Sequence, residues 1–133
     1  MEEITSAGGE IIAIVVKKRF KTNGTTFISK NQFPLQLGIS TYLPGDKIKP
    51  HVHINREITI NNIQEVVYIK KGSAMVNLYD SIGEPLKSIK LSSGDLVFFV
   101  SGGHGFEMFK NTTIIEVKQG PYLGIEKDKV MLE

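Results

Sequence analysis

The chain has 133 residues, of which 41% are hydrophobic and 23% charged, a size and composition typical of one globular domain. Its 16 basic and 14 acidic residues leave a formal net charge of +2, and no basic run interleaved with aromatic residues is present, so we expect no nucleic-acid binding. The absence of cysteine excludes disulfide bonds, thiolate catalysis and cysteine-based metal sites.

The first residues do not resemble a targeting signal. Met1-Glu2-Glu3 is acidic where a secretory signal peptide would be basic. The apolar run Ile11–Val16 is too short to span a bilayer, and the basic run that follows it is typical of the solvated end of a strand. We therefore expect a cytoplasmic protein that does not associate with membranes.

Short segments rich in β-branched and aromatic residues follow one another along the chain, and most end at glycine, proline or asparagine. Apolar residues at helical spacing do not persist over three turns. The predicted strands are residues 11–20, 25–29, 36–43, 47–54, 56–60, 65–70, 74–79, 86–91, 96–100, 106–109 and 113–118. The last residues, 126–133, are compatible with a short strand, a helical turn or a loose tail. This series predicts an all-β domain, built as a sandwich or a barrel.

The three histidines of the chain are His51, His53 and His104. If residues 47–54 form a strand, His51 and His53 point to the same face, about 6–7 Å apart along the chain, which suits two imidazoles that converge on one ion. A single pair of this kind is a weak signal, since a buried histidine is more often a hydrogen-bonded core residue than a ligand.

A carboxylate opens the most apolar predicted strand. If Val67 and Ile69 face the interior, the alternation of a strand turns Glu65 the same way. A buried carboxylate needs a strong partner, and a divalent cation or a lysine would serve. His104 lies between Gly103 and Gly105, whose flexibility helps a loop to aim one side chain, although a plain turn residue would look the same.

These residues together carry a resemblance to the cupin superfamily. The residues that match its two motifs are Gly45, His51, His53, Glu65 and Gly72 in the first, at about 45–72, and Gly94, Asp95 and His104 in the second, at about 94–109. The resemblance implies one domain over residues 1–133, folded as a jelly-roll β-barrel of antiparallel strands. The N-terminal strands, residues 10–43, would complete the barrel or a dimer.

The resemblance also implies a metal centre inside the barrel. Its ligands would be His51, His53, Glu65 and His104, holding one divalent transition metal (Fe, Mn, Ni, Co, Cu or Zn). The gap from His53 to Glu65 is longer than the motif usually has, and Glu57 lies at the shorter distance. Only Glu65 has the motif's spacing to Gly72, so residues 55–64 are interpreted as an insertion and Glu65 is preferred as the ligand. The usual proline of the second motif is replaced by Val100, in a turn one residue shorter.

Four residues are candidates for substrate binding. Arg56 and Glu57 lie in the inserted segment, where an arginine can hold a carboxylate or phosphate and a surface ion pair is the commoner role. Phe106 is two residues from His104 and therefore shares its strand face, where it would form the wall of a pocket or part of the core. Lys118 shares a strand face with Glu116, and the alternation alone leaves open whether that face lines a pocket or meets solvent.

Three functions follow from the resemblance. The first is a metal-dependent enzyme, an isomerase or a dioxygenase-like protein, for a small polar substrate such as a sugar derivative or keto acid. The second is a metal-free sugar-nucleotide epimerase or ketoisomerase with His51 or His53 as general base. The third is a non-catalytic sensor or ligand-binding module. Similar small cupins are associated with bacterial surface-polysaccharide synthesis, and the family resemblance also implies a homodimer that binds a small molecule.

Overall fold

The computed structural model of the chain describes residues 1–132 and is built from antiparallel strands with one short helix. The elements are β1 Glu2–Thr5, β2 Ile11–Val16, β3 Gly24–Phe27, β4 Gly38–Thr41, β5 Glu65–Lys71, β6 Ser73–Tyr79, β7 Pro85–Ser92, β8 Leu96–Phe99, β9 Gly103–Met108, β10 Thr113–Lys118 and α1 Ile125–Asp128. The prediction of an all-β antiparallel fold is confirmed. Within residues 1–132, no helix has the length and apolar character needed to cross a membrane.

The chain divides into two compact units. Unit 1 comprises residues 1–18 and those from 63 onward, and unit 2 comprises residues 19–62. Unit 1 contains a five-stranded sheet in the order β1-β2-β8-β5-β10 and a three-stranded sheet in the order β7-β6-β9. Unit 2 contains the two-stranded sheet β3-β4.

The two sheets of unit 1 share one hydrophobic core, because each strand turns alternate apolar side chains towards the other sheet. The core residues are Ile4, Ile12, Ala13, Val15, Val67, Ile69, Val76, Leu78, Leu91, Val97 and Phe99. All six residues of β2 are buried, so this strand is covered on both of its faces. The sheets therefore pack face to face, and their burial is the main source of stability in unit 1.

Gly72 lets the chain pass from one sheet to the other. Strands β5 and β6 are consecutive along the chain, yet β5 belongs to the five-stranded sheet and β6 to the three-stranded one. The φ angle of Gly72 is 98°, and a Cβ atom here would lie 2.5 Å from the carbonyl oxygen of Asn111. Both the backbone conformation and the lack of space require glycine, at the position where the sequence predicts a strand to end.

A buried carboxylate ties the turn between β7 and β8 to the end of β2. Asp95 accepts hydrogen bonds from the backbone N–H groups of Ser92 and Lys18, each at 2.9 Å, and from Lys17 Nζ at 3.1 Å. Burial acts to raise the pKa of Asp95, but the hydrogen bonds from Ser92, Lys18 and Lys17 and the charge of Lys17 together outweigh it and hold that pKa below its ordinary value. Asp95 is thus a structural residue, although it lies within the second motif.

Unit 2 is held together by polar contacts rather than by a core. Thr22 Oγ1 donates to the carbonyl oxygens of Gly24 and Ile39, and Gln36 Nε2 donates to the carbonyl oxygen of Lys30. Within the described residues 19–62, Ser29 is the single buried residue. So little burial is unusual for a folded unit, since the burial of apolar side chains is what stabilises most small domains.

Several predicted strands differ from the structure. Residues 47–54 and 56–60 were expected as strands, but residues 46–61 have no regular secondary structure and are exposed. Their alternation of apolar and polar residues is real, yet a strand forms only beside a hydrogen-bonding neighbour, and the described chain pairs none with them. Strand β1 was missed because three of its four residues are polar, and β2 ends at Val16 rather than at residue 20.

We expect Gly72→Ala to destabilise the protein more than Gly9→Ala, a matched control. Both glycines have positive φ angles, but nothing lies within 4 Å of a Cβ atom at Gly9. The left-handed backbone should lower the free energy of unfolding by about 1–3 kcal/mol in both variants. The clash with Asn111 should add about 1–3 kcal/mol in Gly72→Ala. Urea denaturation measures the free energy of unfolding of both variants. Equal losses of stability would show that the close contact between position 72 and Asn111 adds nothing to the requirement for glycine.

We expect Asp95→Asn to lower the free energy of unfolding at pH 7 by about 1–3 kcal/mol. Because the pKa of Asp95 is depressed in the folded state, its contribution is fully present above the unfolded pKa of about 3.9 and is lost as the pH falls through the folded pKa. The gap between parent and variant should therefore narrow below about pH 4 in urea denaturation. In a Lys17→Met background, Asp95 keeps its hydrogen bonds from the N–H groups of Ser92 and Lys18, so Asp95→Asn should still lose most of this stability. A difference between parent and Asp95→Asn that persists at low pH would contradict the role of the charge.

Candidate functional site

A cavity of about 570 Å³ opens in unit 1, and all of its lining residues belong to that unit. Its polar lining comes mainly from β5, β9, β10 and the C-terminal segment, and includes Glu65, His104, Glu116, Lys118, Asp128 and Lys129. Its apolar lining includes Phe99, Phe106, Met131 and Leu132. A concave site with mainly apolar walls and a few converging polar groups is the usual form of a small-molecule site.

Glu65 and His104 meet inside this cavity. Glu65 is the first residue of β5, it is 9% exposed, and it points with Val67 and Ile69 towards the interior, as the alternation predicts. His104 Nε2 lies 3.4 Å from Glu65 Oε2. The hydrogen bond from His104 lowers the pKa of Glu65, against the effect of burial, so the carboxylate is ionised at neutral pH.

Aromatic packing holds the imidazole of His104 in place. Its ring stacks on Phe99, with centroids 3.7 Å apart and ring planes at 8°. Phe106, which shares a strand face with His104, meets both rings edge to face at centroid distances of 6.2 and 5.9 Å. The sequence does not single out Phe99, because the alternation of β8 relative to the cavity depends on its pairing with β2 and β5.

Strand β10 turns its polar face to the cavity, which settles the alternation that the sequence leaves open. Glu116 and Lys118 line the cavity, whereas Ile115 and Val117 are 47% and 53% exposed on the other face. Lys118 Nζ donates to Asp128 Oδ2 at 2.8 Å, and it lies 4.9 Å from the centroid of the Tyr122 ring. The hydrogen bond to Asp128 raises the pKa of Lys118.

The C-terminal wall of the cavity is a second feature that the sequence does not predict. Asp128 belongs to α1, and residues 129–132 follow it along the cavity. The sequence leaves a short strand, a helical turn or a loose tail open for residues 126–133. The structure shows the helical turn Ile125–Asp128, and residue 133 lies outside the described range. Nothing in this polar, mixed stretch indicates that it packs near β9, since that contact depends on the tertiary fold.

The histidine pair of the first motif lies in unit 2. The rings of His51 and His53 are 5.3 Å apart at 76°, and both residues are exposed. His51 Nδ1 lies 2.8 Å from the carbonyl oxygen of Lys49, which can only accept a hydrogen bond. In a neutral ring, this contact selects the tautomer with the proton on Nδ1 and the lone pair on Nε2. Arg56 and Glu57 are exposed in the same irregular segment.

The structure thus brings Glu65, His104, Phe106 and Lys118 onto one cavity, and it holds His51 and His53 beside each other in unit 2. Among residues 1–132, no group of three or more histidine, aspartate or glutamate side chains is placed to hold a metal ion. No protein-family model, curated protein or solved structure matches the chain. Any functional interpretation therefore depends on the chemistry of these residues and on the motifs that they form.

We expect His104→Leu to raise the pKa of Glu65 in the metal-free protein, because it removes the hydrogen bond and leaves the burial. A pH titration of the glutamate carboxyl carbons by NMR measures this pKa. Phe106→Leu is the matched control, since it changes the same wall and keeps the bond between His104 and Glu65, so it should leave the pKa lowered. An unchanged pKa in His104→Leu would show that another group stabilises the carboxylate.

Proposed function

We propose that the protein is a metal-binding enzyme of the cupin type that acts on a small polar substrate such as a sugar derivative or keto acid. The observation that carries this proposal is the buried, ionised Glu65 that meets His104 in a cavity of about 570 Å³. The two face-to-face antiparallel sheets, joined by the crossing at Gly72, support the proposal that the strands close as a jelly-roll barrel.

The donor groups fit a divalent transition metal. Glu65 contributes an ionised carboxylate with little exposure, and His104 an imidazole whose ring is held by Phe99 and Phe106. His51 has the arrangement usual for a metal ligand, with one ring nitrogen bonded to a backbone carbonyl and the other left to coordinate. We propose His51, His53, Glu65 and His104 as the ligand set. The ion would supply Lewis acidity, which polarises a carbonyl or hydroxyl of the substrate.

The other residues of the cavity would bind and orient the substrate. Lys118 provides a cation on the same wall as Glu65, where it attracts a carboxylate or phosphate of a ligand. Phe99, Phe106, Met131 and Leu132 form apolar walls that exclude water and strengthen these electrostatic contacts. Glu116 supplies a further hydrogen-bond acceptor for hydroxyl groups. This combination suits a small, anionic and hydroxylated molecule.

A second candidate is a metal-free sugar-nucleotide epimerase or ketoisomerase. The contact of 3.4 Å between Glu65 and His104 is what favours it, because a carboxylate bonded to an imidazole is the arrangement of a general base and its orienting partner. In this alternative the base would be His104, which lines the cavity, rather than His51 or His53.

The test is the binding of Co²⁺ to the untagged, chelator-stripped full chain, followed by calorimetry and by the visible spectrum of the ion. We expect about one equivalent per chain, and a loss of affinity of at least about 100-fold in Glu65→Gln and in His104→Leu. Elemental analysis of protein purified without chelator identifies the native metal.

Glu57→Gln is the matched control, because Glu57 is the other carboxylate that the motif spacing admits, and it should bind Co²⁺ like the parent. Loss of binding in Glu57→Gln with binding retained in Glu65→Gln would reassign the carboxylate ligand. A parent that binds none of Fe²⁺, Mn²⁺, Ni²⁺, Co²⁺ and Zn²⁺ would overturn the metal proposal and leave the metal-free candidate.

A further inference from the structure

Six lysines gather at the end of unit 1 that lies away from the cavity. They come from four segments that are separated along the chain, residues 17–18, 70–73, 90–95 and 108–113. We call these four segments together the basic end. Its lysines are Lys17, Lys18, Lys70, Lys71, Lys90 and Lys110, and Asp95 is its one acidic residue.

Hydrogen bonds between the segments join them into one surface. The N–H of Ser93 donates to the carbonyl oxygen of Gly72 at 3.1 Å, and its Oγ donates to that of Lys70 at 3.0 Å. Lys17 Nζ donates to the carbonyl oxygen of Lys90 at 2.7 Å. The turns at these strand ends therefore lie side by side, with their lysines close to one another.

Two adjacent apolar side chains lie among these lysines. Phe109 is 52% and Met108 49% exposed, where β9 ends and the following turn begins. The N–H of Phe109 donates to the carbonyl oxygen of Ser73 at 3.1 Å, which ties this turn to the start of β6. Lys90 Nζ lies 5.5 Å from the centroid of the Phe109 ring, and Lys110 follows directly in the chain. The basic end thus combines exposed apolar groups with positive charge.

Most of this positive charge is not neutralised by the protein itself. Within residues 1–132, Lys17 is the one lysine of the basic end that forms an ion pair, with Asp95, and the other five lysines are exposed. Glu107 is an exposed carboxylate beside the basic end, and it accepts a hydrogen bond from Asn77. The surface therefore carries an excess of positive charge, which suits an extended anionic partner.

We propose that the basic end binds the surface of a membrane that contains anionic lipids, with Phe109 and Met108 inserted among the headgroups. Lysines near a bilayer are attracted to its anionic headgroups, and apolar side chains that enter the interface add a hydrophobic contribution. A surface that has both signals binds more firmly than a surface that has one of them. The inference goes beyond the proposed function and does not rest on it.

The composition of the basic end favours lipid over nucleic acid. Single-stranded nucleic acid is bound by several aromatic side chains that stack on successive bases, and Phe109 is the one aromatic residue here. Bidentate contacts to phosphates and base edges are made by arginine, which these segments lack. Lysine acts as a point charge, and an array of such charges suits the diffuse negative potential of a bilayer.

The cavity lies at the other end of the same strands. Strand β9 has six residues, begins at Gly103 beside the cavity and ends at Met108 in the basic end. At about 3.3 Å per residue, the two are about 17–20 Å apart. A membrane at the basic end therefore leaves the cavity free for its own ligand. The sequence alone predicts no membrane association, because the lysines are scattered along it.

Co-sedimentation of the full chain with vesicles tests the proposal, at about 0.1 M salt. The vesicles consist of phosphatidylcholine alone or of its mixture with phosphatidylserine. We expect the affinity for the mixed vesicles to exceed that for the neutral ones by at least about 10-fold, and to fall as salt is added. The double variant Lys70→Gln and Lys110→Gln should lose about 20–30-fold in affinity, about 5-fold for each lysine.

The double variant Lys87→Gln and Lys127→Gln is the matched control. Both lysines are exposed and lie outside the basic end, so the variant removes the same net charge from elsewhere on unit 1. We expect it to bind the mixed vesicles within about 3-fold of the parent, because salt screens charges that are distant from the contact.

A tryptophan placed at the apolar tip measures the orientation. The chain has no tryptophan, so a single one reports on its own surroundings. The emission of Phe109→Trp should shift to the blue when mixed vesicles are added, since the indole enters the interface. Ile82→Trp should keep its emission, because Ile82 is 85% exposed in the turn after β6, at the cavity end of that strand. Phe109→Ser should weaken vesicle binding by about 10-fold, and Ile82→Ser should not.

Each contrary outcome rejects a named part of the inference. Equal binding to neutral and mixed vesicles, or equal losses in the two double-lysine variants, would overturn the role of the basic end. A blue shift in both tryptophan variants would reject the orientation. A parent that binds a single-stranded oligonucleotide but not the mixed vesicles would assign the basic end to nucleic acid. No variant changes a residue of the metal site, so Co²⁺ binding should match that of the parent throughout, and failure of the membrane proposal leaves the proposed function standing.

Discussion

The burial of two sheets against each other is the constraint on which unit 1 depends. Strands from both sheets contribute to a single hydrophobic core, and the chain can pass between them at Gly72 because glycine alone fits there. The interior face of β5 begins with Glu65 and continues with Val67 and Ile69. The same alternation that builds the core therefore carries a carboxylate to its end, where a cavity opens.

Two hydrogen-bonded pairs of polar side chains in the cavity have different surroundings, and Glu116 and Lys129 line the cavity beside them. Glu65 meets an imidazole that is held by aromatic rings, while Lys118 meets Asp128 at the start of the C-terminal wall. Burial opposes the charged form of both Glu65 and Lys118, and in each case the hydrogen-bonded partner outweighs it. The cavity thus keeps charged groups of both signs at neutral pH within apolar walls, which is the electrostatic setting of many binding and catalytic sites.

Local pattern was enough to predict much of unit 1. The alternation in residues 65–70 places Glu65 inside, and Gly72 and Gly94 mark turns that the structure contains. What the sequence could not supply depends on pairing between distant segments. Residues 47–60 alternate as a strand but remain irregular without a neighbour, Phe99 joins the site through the register of β8, and the orientation of Lys118 follows from the pairing of β10 with β5. No local pattern in residues 126–132 indicates that this segment forms a wall of the cavity.

Under the function that we propose, the pairing of Lys118 with Asp128 would make the cavity selective between ligands. An anion that engages Lys118 has to exchange with a carboxylate that is already 2.8 Å away. A neutral molecule that displaced Asp128 would leave the partly buried ammonium of Lys118 without a charged partner, and this loss would disfavour its binding. Asp128 would therefore act as an internal competitor for the anionic group of the proposed ligand.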